Sequence, residues 1–436
     1  MEIDSLLQPF QRFGVHLGLE RIHKLLADLG NPHQQVPIIH VAGTNGKGSV
    51  CAYLSAVLTE AGYKVGRFIS PHLIEWNERI CINEIPISTE AFQEILLQVK
   101  EAIPEDSKDS PTQFEAITAA AWLYFAQQNV NVAVVEVGLG GRLDATNVSD
   151  SPLVTIITSL SREHWQILGP TLADIAREKA GILKSGCPAV IGQLPSEAKA
   201  VVEQRIDELK CPVVWVQPAK EIPHPASPYQ GEESEIAGRL TNWAEYAYIK
   251  YPLPLLGDIQ LSNSAIAIAS LQILRDQGWK ITNQAITSGI AKTTWQGRLQ
   301  WTTWKNRRLL IDGAHNPAAA VALRQYVDRQ QTPVTWIMGI LSTKDHADIF
   351  SALLRPGDQL YLVPVPDHSS ADPETLAILA QNTCPKLAHC RSYSQLETGL
   401  EAAFSNTPET AKQLTVLCGS LYLVGHFLAQ NHHIDS

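Results

Sequence analysis

Lys47 stands in the run Gly43-Thr44-Asn45-Gly46-Lys47-Gly48-Ser49, three glycines and one cation between an apolar stretch (Val36–Val41) and a helix-like stretch (Ser49–Leu58). Strand, glycine loop and helix N-terminus together make an anion site. Backbone N–H groups face the loop, the helix dipole adds partial positive charge, and Lys47 adds a full one. The spacing departs from the strict G-x-x-x-x-G-K-[ST] loop, because two residues separate Gly43 from Gly46 and Gly48 intervenes before Ser49. A glycine turn without a ligand is the plain alternative.

Three further polar residues follow strand-like runs: Ser70, Glu136 and His164. In open α/β sheets ligand groups collect at the C-terminal ends of strands. If these strands are neighbours, a hydroxyl, a carboxylate and an imidazole meet beside a phosphate chain, where they could ligate Mg²⁺. That ion prefers oxygen, so His164 is the unexpected member. Ser70 could equally open the turn before Pro71, and His164 could be a hydrogen-bonded loop histidine. Glu136 is harder to explain structurally, since a carboxylate ending an apolar buried strand requires a charge partner. Lys179 reads from spacing alone as a solvated helix lysine. Asp312-Gly313-Ala314-His315-Asn316-Pro317 ends a second-half strand and enters a helix, either as a nucleotide contact or as an Asp-Gly turn with an Asn cap.

The elements that must hold these groups alternate. Apolar spacing at Leu19, Ile22, Leu25, Leu26 and Leu29 gives a first helix. Strands are expected over 64–69, 130–137, 153–158, 188–192 and 212–216, with helices over 88–102, from 112, over 171–183 and over 195–209. The stretch from Ser70 to about Pro86 reads as irregular, 104–111 as a polar, mobile loop, and 220–256 as proline-rich with short β-like pieces. The alternation restarts near Gly297, with strands at 309–311, 334–338, 359–363 and 414–417. This predicts an α/β chain: a P-loop-containing N-terminal domain with a mostly parallel sheet, residues 1–296, and a smaller Rossmann-like α/β C-terminal domain, residues 297–436. A length of 436 residues suits two domains. Lys+Arg 34 against Asp+Glu 44 argues against a nucleic-acid or membrane surface. The start shows no secretion signal, no apolar run is long enough for a membrane span, and seven scattered cysteines read as thiols of a reducing cytoplasm.

Taken together, Gly43–Ser49, Ser70-Pro71-His72-Leu73 with Asn77-Glu78-Arg79-Ile80, Phe114-Glu115 with Thr118-Ala119, Glu136–Asn147, Glu178–Ile182, Gly297-Arg298-Leu299, Asp312–Pro317 and Gly419–Gly425 resemble the folylpolyglutamate synthase/dihydrofolate synthase family, bifunctional bacterial type, of the Mur ligase superfamily. The resemblance implies an ATP-dependent amide ligase that adds L-glutamate to folates, and to dihydropteroate, through an acyl phosphate. It implies ATP contacts at Gly43, Thr44, Asn45, Gly46, Lys47, Gly48 and Ser49, with Asn263, Arg298, Asp312 and His315 reaching the nucleotide from the interdomain side. It implies two Mg²⁺ ions held by Ser70, Glu136 and His164, an N6-carboxylysine at Lys179, and catalytic roles for Lys47, Lys179 and His164. The pterin or folate would touch His16, Leu17, Gly18, Leu19, Thr112, Gln113, Phe114, Glu115, Leu143, Asp144 and Ala145. A monomer acting on small molecules in the cytoplasm is expected, without nucleic acid or membrane. The alternatives are a folylpolyglutamate synthase alone, another Mur-type amino-acid ligase, or a non-catalytic nucleotide-binding module.

Overall fold

The structure is a computed structural model, and it describes residues 3–13, 17–104, 110–223, 242–406 and 413–432. The expected loop 104–111 lies largely outside them, as does His16. The chain divides into two units, Met1–Pro254 with Gln260–Thr294, and Leu255–Ile259 with Trp295–Ser436.

The first unit is built on eight strands: β1 (Ile38–Ala42), β2 (Val65–Phe68), β3 (Ile80–Ile82), β4 (Ile85–Pro86), β5 (Val132–Glu136), β6 (Val154–Ile157), β7 (Ala189–Ile191) and β8 (Val213–Trp215). Their order is β4-β3-β2-β5-β1-β6-β7-β8. β2, β5, β1, β6, β7 and β8 run parallel, and β3 and β4 close one edge antiparallel. β1 and β5 are buried at every position, which is why each reads as a largely apolar run, interrupted at His40 in β1 and closed by Glu136 in β5, rather than an alternating one. The helix Lys47–Glu60 is likewise buried from Ser49 to Leu58, so it shows no polar stripe. Trp122, Phe125, Phe92 and Phe68 belong to one apolar core that also takes up Leu6, Leu7 and Ile22.

The stretch read as irregular corrects to structure: a 3₁₀ turn Trp76–Arg79, then the β3–β4 hairpin. The helix Asn283–Lys292 was also missed. Residues 220–256 contain a small antiparallel sheet, β9 (Lys220–Ile222), β10 (Asn242–Tyr246) and β11 (Ile249–Leu253).

The second unit has its own sheet of β12 (Gln300–Trp304), β13 (Arg307–Ile311), β14 (Val334–Met338), β15 (Gln359–Leu362), β16 (His389–Ser392) and β17 (Leu414–Cys418). The order is β12-β13-β17-β14-β15-β16, parallel except for β12. A buried ion pair braces it: Asp358 accepts from Arg324 at 2.7 Å, the Trp336 indole at 3.0 Å and two backbone amides. No helix among the described residues is long and apolar enough to cross a membrane.

Candidate phosphate and pterin site

The sheet order answers the question left open by the sequence. β2, β5, β1 and β6 are consecutive neighbours, so Ser70, Glu136, the glycine loop and the segment Thr158–His164 all leave the same edge of the sheet. Val41 is registered opposite Glu136, which places the carboxylate one strand away from the start of the loop.

The loop is held by backbone hydrogen bonds to the end of β6. Thr44 N–H donates to Ser159 O at 2.7 Å, and the Thr158 and Ser159 hydroxyls donate to Asn45 O at 2.7 and 3.0 Å. Ser161 N–H donates to the Thr44 hydroxyl at 3.0 Å. Two glycines are required. Gly43 has φ +149°, and a Cβ there would lie 2.0 Å from Thr158 Oγ1. Gly46, at φ +89°, would push a Cβ to 2.4 Å from Asn263 Oδ1. Gly46 caps the helix Lys47–Glu60 without a side chain, so the amides of its first turn are left for an anion.

Lys47 Nζ donates to Thr44 O at 3.1 Å and lies 3.8 Å from Glu136 Oε1. Ser70 N–H donates to Glu136 Oε2 at 3.4 Å. Asn263 is in the first unit, wedged against Gly46 and donating to Gln260 at 3.1 Å, and Gln260 in turn donates to Ser49 Oγ at 3.4 Å. The contacts seen for it support the glycine loop.

Lys179 corrects the reading from spacing. It is buried, 5 % exposed, and its Nζ donates to Gly43 O at 2.7 Å. Burial, helped by the Lys47 ammonium, pulls it down from 10.5 to about 7. His164 leaves the same edge in a left-handed conformation, φ +51°, but its ring is 44 % exposed and lies 3.9 Å from Glu163. Among the described residues no three His, Cys, Asp or Glu side chains form a ready metal cluster. The oxygens of Glu136 and Ser70 nevertheless fit Mg²⁺, which takes one or two protein oxygens and completes its shell with phosphate and water.

Beside this edge lies the loop Gly138–Asn147. Asp144, 3 % exposed, is engaged by its own loop: Oδ2 accepts from Leu139 N–H at 2.7 Å, and Oδ1 from Thr146 N–H and the Thr146 hydroxyl at 3.0 and 2.5 Å. Burial pushes its carboxyl up against those bonds. The bonds seen for Asp144 thus brace its own loop, on either side of Leu143 and Ala145. Arg142 pairs with Glu178 at 2.9 Å, and Asn147 donates to Arg142 O and Gly181 O, which ties the loop to the helix of Lys179. Thr112 and Glu115 form a capping box on the helix Gln113–Gln127. Glu115 also takes Arg21 at 3.1 Å, while its Oε1 and Gln113 Nε2 are buried without a hydrogen-bond partner. Phe114 covers Gly138 so closely that a Cβ there would meet the ring at 2.3 Å. Leu17, Gly18 and Leu19 are half-buried.

In the second unit Asp312 accepts from Leu299 N–H and Ala314 N–H, both at 2.8 Å, and burial raises its carboxyl against the nearby Arg298 charge. His315 Nδ1 donates to Gly313 O at 2.7 Å, and Asn316 caps the helix Pro317–Asp328. Arg298, Asp312 and His315 thus share one corner of that unit.

Sequence reading missed Thr158, Ser159, Ser161 and Arg21. The run Thr158-Ser159-Leu160-Ser161 after an apolar strand was the available signal.

The Mur ligase middle domain matches residues 41–271, and the C-terminal domain of dihydrofolate synthetase matches residues 297–430. Dihydrofolate synthetase of Saccharomyces cerevisiae is 35% identical over 96% of this chain and 99% of its own. Folylpolyglutamate synthase of Lacticaseibacillus casei is 36% identical over 97% and 96%. The structure of E. coli FolC in complex with DHPP and ADP superposes with a TM-score of 0.81 at 29% identity, covering 99% of this chain and 97% of that one. Matched along nearly its whole length by proteins named for either activity, the chain belongs to the dihydrofolate synthase/folylpolyglutamate synthase family of Mur ligases.

Proposed function

We propose that the chain is an ATP-dependent ligase that joins L-glutamate to the carboxylate of a pterin-bearing acid, extending folates and converting dihydropteroate to dihydrofolate through an acyl phosphate. The observation that carries this is the adjacency of β2, β5, β1 and β6, which gathers Ser70, Glu136, the glycine loop and Lys179 at one edge. Phosphoryl transfer demands charge neutralisation and alignment more than covalent chemistry. The first-turn amides and Lys47 receive the phosphates. Glu136 and Ser70, joined in this reading by His164, would hold Mg²⁺, two ions in all, which neutralises phosphate charge when bound. Residues 1–296 act as the ATP-binding domain and 297–436 as the glutamate-ligase domain, with Arg298, Asp312 and His315 as nucleotide contacts.

Lys179 suits an N6-carboxylysine. Only a neutral amine adds CO₂, and a value of about 7 supplies it at neutral pH. The carbamate nitrogen keeps one hydrogen, so the bond to Gly43 O can persist. The unpaired Glu115 Oε1 and Gln113 Nε2 supply an acceptor and a donor that a pterin ring could use. We place the protein in the cytoplasm, as a monomer acting on small molecules without nucleic acid, in keeping with its −10 charge.

Glutamate-dependent ADP release by the purified protein, assayed separately with dihydropteroate and with a reduced folate, tests the reading. Turnover of both is expected. Turnover of the folate alone limits the activity to polyglutamylation, and turnover of neither rejects the proposal.

A further inference from the structure

His40 lies in the middle of β1, 1 % exposed, three residues before the phosphate loop. Its Nε2 is 2.9 Å from Thr146 Oγ1. The Thr146 hydroxyl has a single hydrogen, and that hydrogen goes to Asp144 Oδ1 at 2.5 Å. Asp144 is the acceptor there: three donors converge on its two oxygens, the Thr146 hydroxyl and the Thr146 and Leu139 amides, and a carboxylate has no hydrogen of its own to return. The Thr146 oxygen is therefore the acceptor, and His40 is the donor, in its Nε2–H form. Burial keeps the imidazole neutral, down to about 3, so the tautomer is not disturbed by ordinary pH. The result is a directed chain, His40 to Thr146 to Asp144, from the strand that bears the phosphate loop into the loop Gly138–Asn147. On its other side that loop is held by Asn147 and Arg142 to the segment Glu178–Gly181.

We propose that His40 is a positioning residue for the pterin-bearing substrate: its Nε2–H, through the Thr146 hydroxyl, sets Asp144 and with it the height of Leu143 and Ala145 above the phosphate loop. The inference rests on the reading of Leu143 and Ala145 as substrate contacts. A residue that merely fills space would be replaced by any apolar group of similar size. A hydrogen-bond donor at this point can be replaced only by another donor. Gln presents its amide nitrogen close to where the histidine Nε2 lies, and Leu presents none.

The experiment compares His40→Gln with His40→Leu, and Thr146→Ser with Thr146→Val. His40→Leu and Thr146→Val should each raise KM for the pterin substrate about tenfold and leave KM for ATP within about twofold, the loss of one buried hydrogen-bond link. His40→Gln and Thr146→Ser should keep the wild-type values. The double variant His40→Leu/Thr146→Val should resemble either single one rather than multiply them, because both cut the same chain. Hydrogen exchange provides a readout independent of turnover: the peptide covering 138–147 should exchange faster in His40→Leu and not in His40→Gln. Equal behaviour of Gln and Leu, or multiplicative effects in the double variant, would overturn the proposal. Altered exchange without a KM change would refute the substrate role of Leu143 and Ala145 while leaving the relay standing. If His40→Leu does not fold, Thr146→Val, whose side chain is isosteric, decides alone.

Discussion

Replacing Lys179 with Met removes a buried cation and keeps an unbranched chain of similar length. Lys179 falls from 10.5 to about 7 in the folded chain, chiefly by burial. Below pH 7 the amine is protonated in both states, and the folded protein bears the whole cost of the charge. Between pH 7 and 10.5 the unfolded chain binds the proton and the folded chain does not, so stability rises with pH at roughly 1.4 kcal/mol per pH unit. Across the window that amounts to about 5 kcal/mol, offset by a constant of about 1 kcal/mol for the lost bond to Gly43 O. In CO₂-free buffer Lys179→Met should be more stable than wild type by several kcal/mol at pH 6, with the gap closing steadily towards pH 10. Denaturant unfolding at five or six pH values measures it. The same variant should lose orders of magnitude in kcat, and wild type stripped of CO₂ at mildly acidic pH should lose activity and regain it when bicarbonate is added at neutral pH or above. A gap that does not change with pH would refute the buried, neutral amine, and full activity without bicarbonate would refute its carboxylation.

Lys47→Ala should abolish ADP release and leave the melting temperature within a few degrees, since Lys47 is held by Thr44 O and Glu136 at the loop and lies outside the apolar core; nucleotide titration and thermal melts check this. Gly46→Ala should weaken nucleotide binding by at least tenfold, because the new Cβ meets Asn263 at 2.4 Å in a left-handed conformation that costs about 1–2 kcal/mol; isothermal titration with ADP reads it. Asp358→Ala should destabilise the second unit by about 3–5 kcal/mol, as it leaves Arg324 with Asp328 as its carboxylate and takes the acceptor from the buried Trp336 indole and two backbone amides. ADP binding to the loop of the first unit should be unaffected, and retained stability would show that the pair is dispensable.

The central strands were legible because burial on both faces writes itself as a solid apolar run. Val132–Val135 closing on Glu136 could be read directly as a strand with a charge at its working end. The β3–β4 hairpin was not legible, since Ile80–Ile82 and Ile85–Pro86 are too short for a period and one ends in proline. Lys179 failed for another reason. Its helix looks like a surface helix, with Arg177 and Glu178 beside it, and the group that buries and binds Lys179 is a carbonyl 136 residues away. Only the resemblance flagged that position. Thr112-Gln113-Phe114-Glu115 spells a capping box as well as the substrate contact we propose for it, and a single pattern cannot separate those meanings. The supporting hydroxyls of Thr158 and Ser159 act on a backbone carbonyl, Asn45 O, which leaves little mark on residue type.

The phosphate loop is completed by residues that the ribosome makes long after it. Gly43–Ser49 is sewn to Thr158–Ser161, over a hundred residues on, and steadied by Gln260 and Asn263, two hundred residues on. At ordinary elongation rates of about 5–20 residues per second, the nascent loop waits on the order of 10–40 s for its last support. During that interval the growing chain has no finished cradle with which to hold a nucleotide. The last supports of the loop, Gln260 and Asn263, arrive with the helix Ile259–Asp276, after every strand of the first unit's large sheet and the helix Lys47–Glu60 have been made.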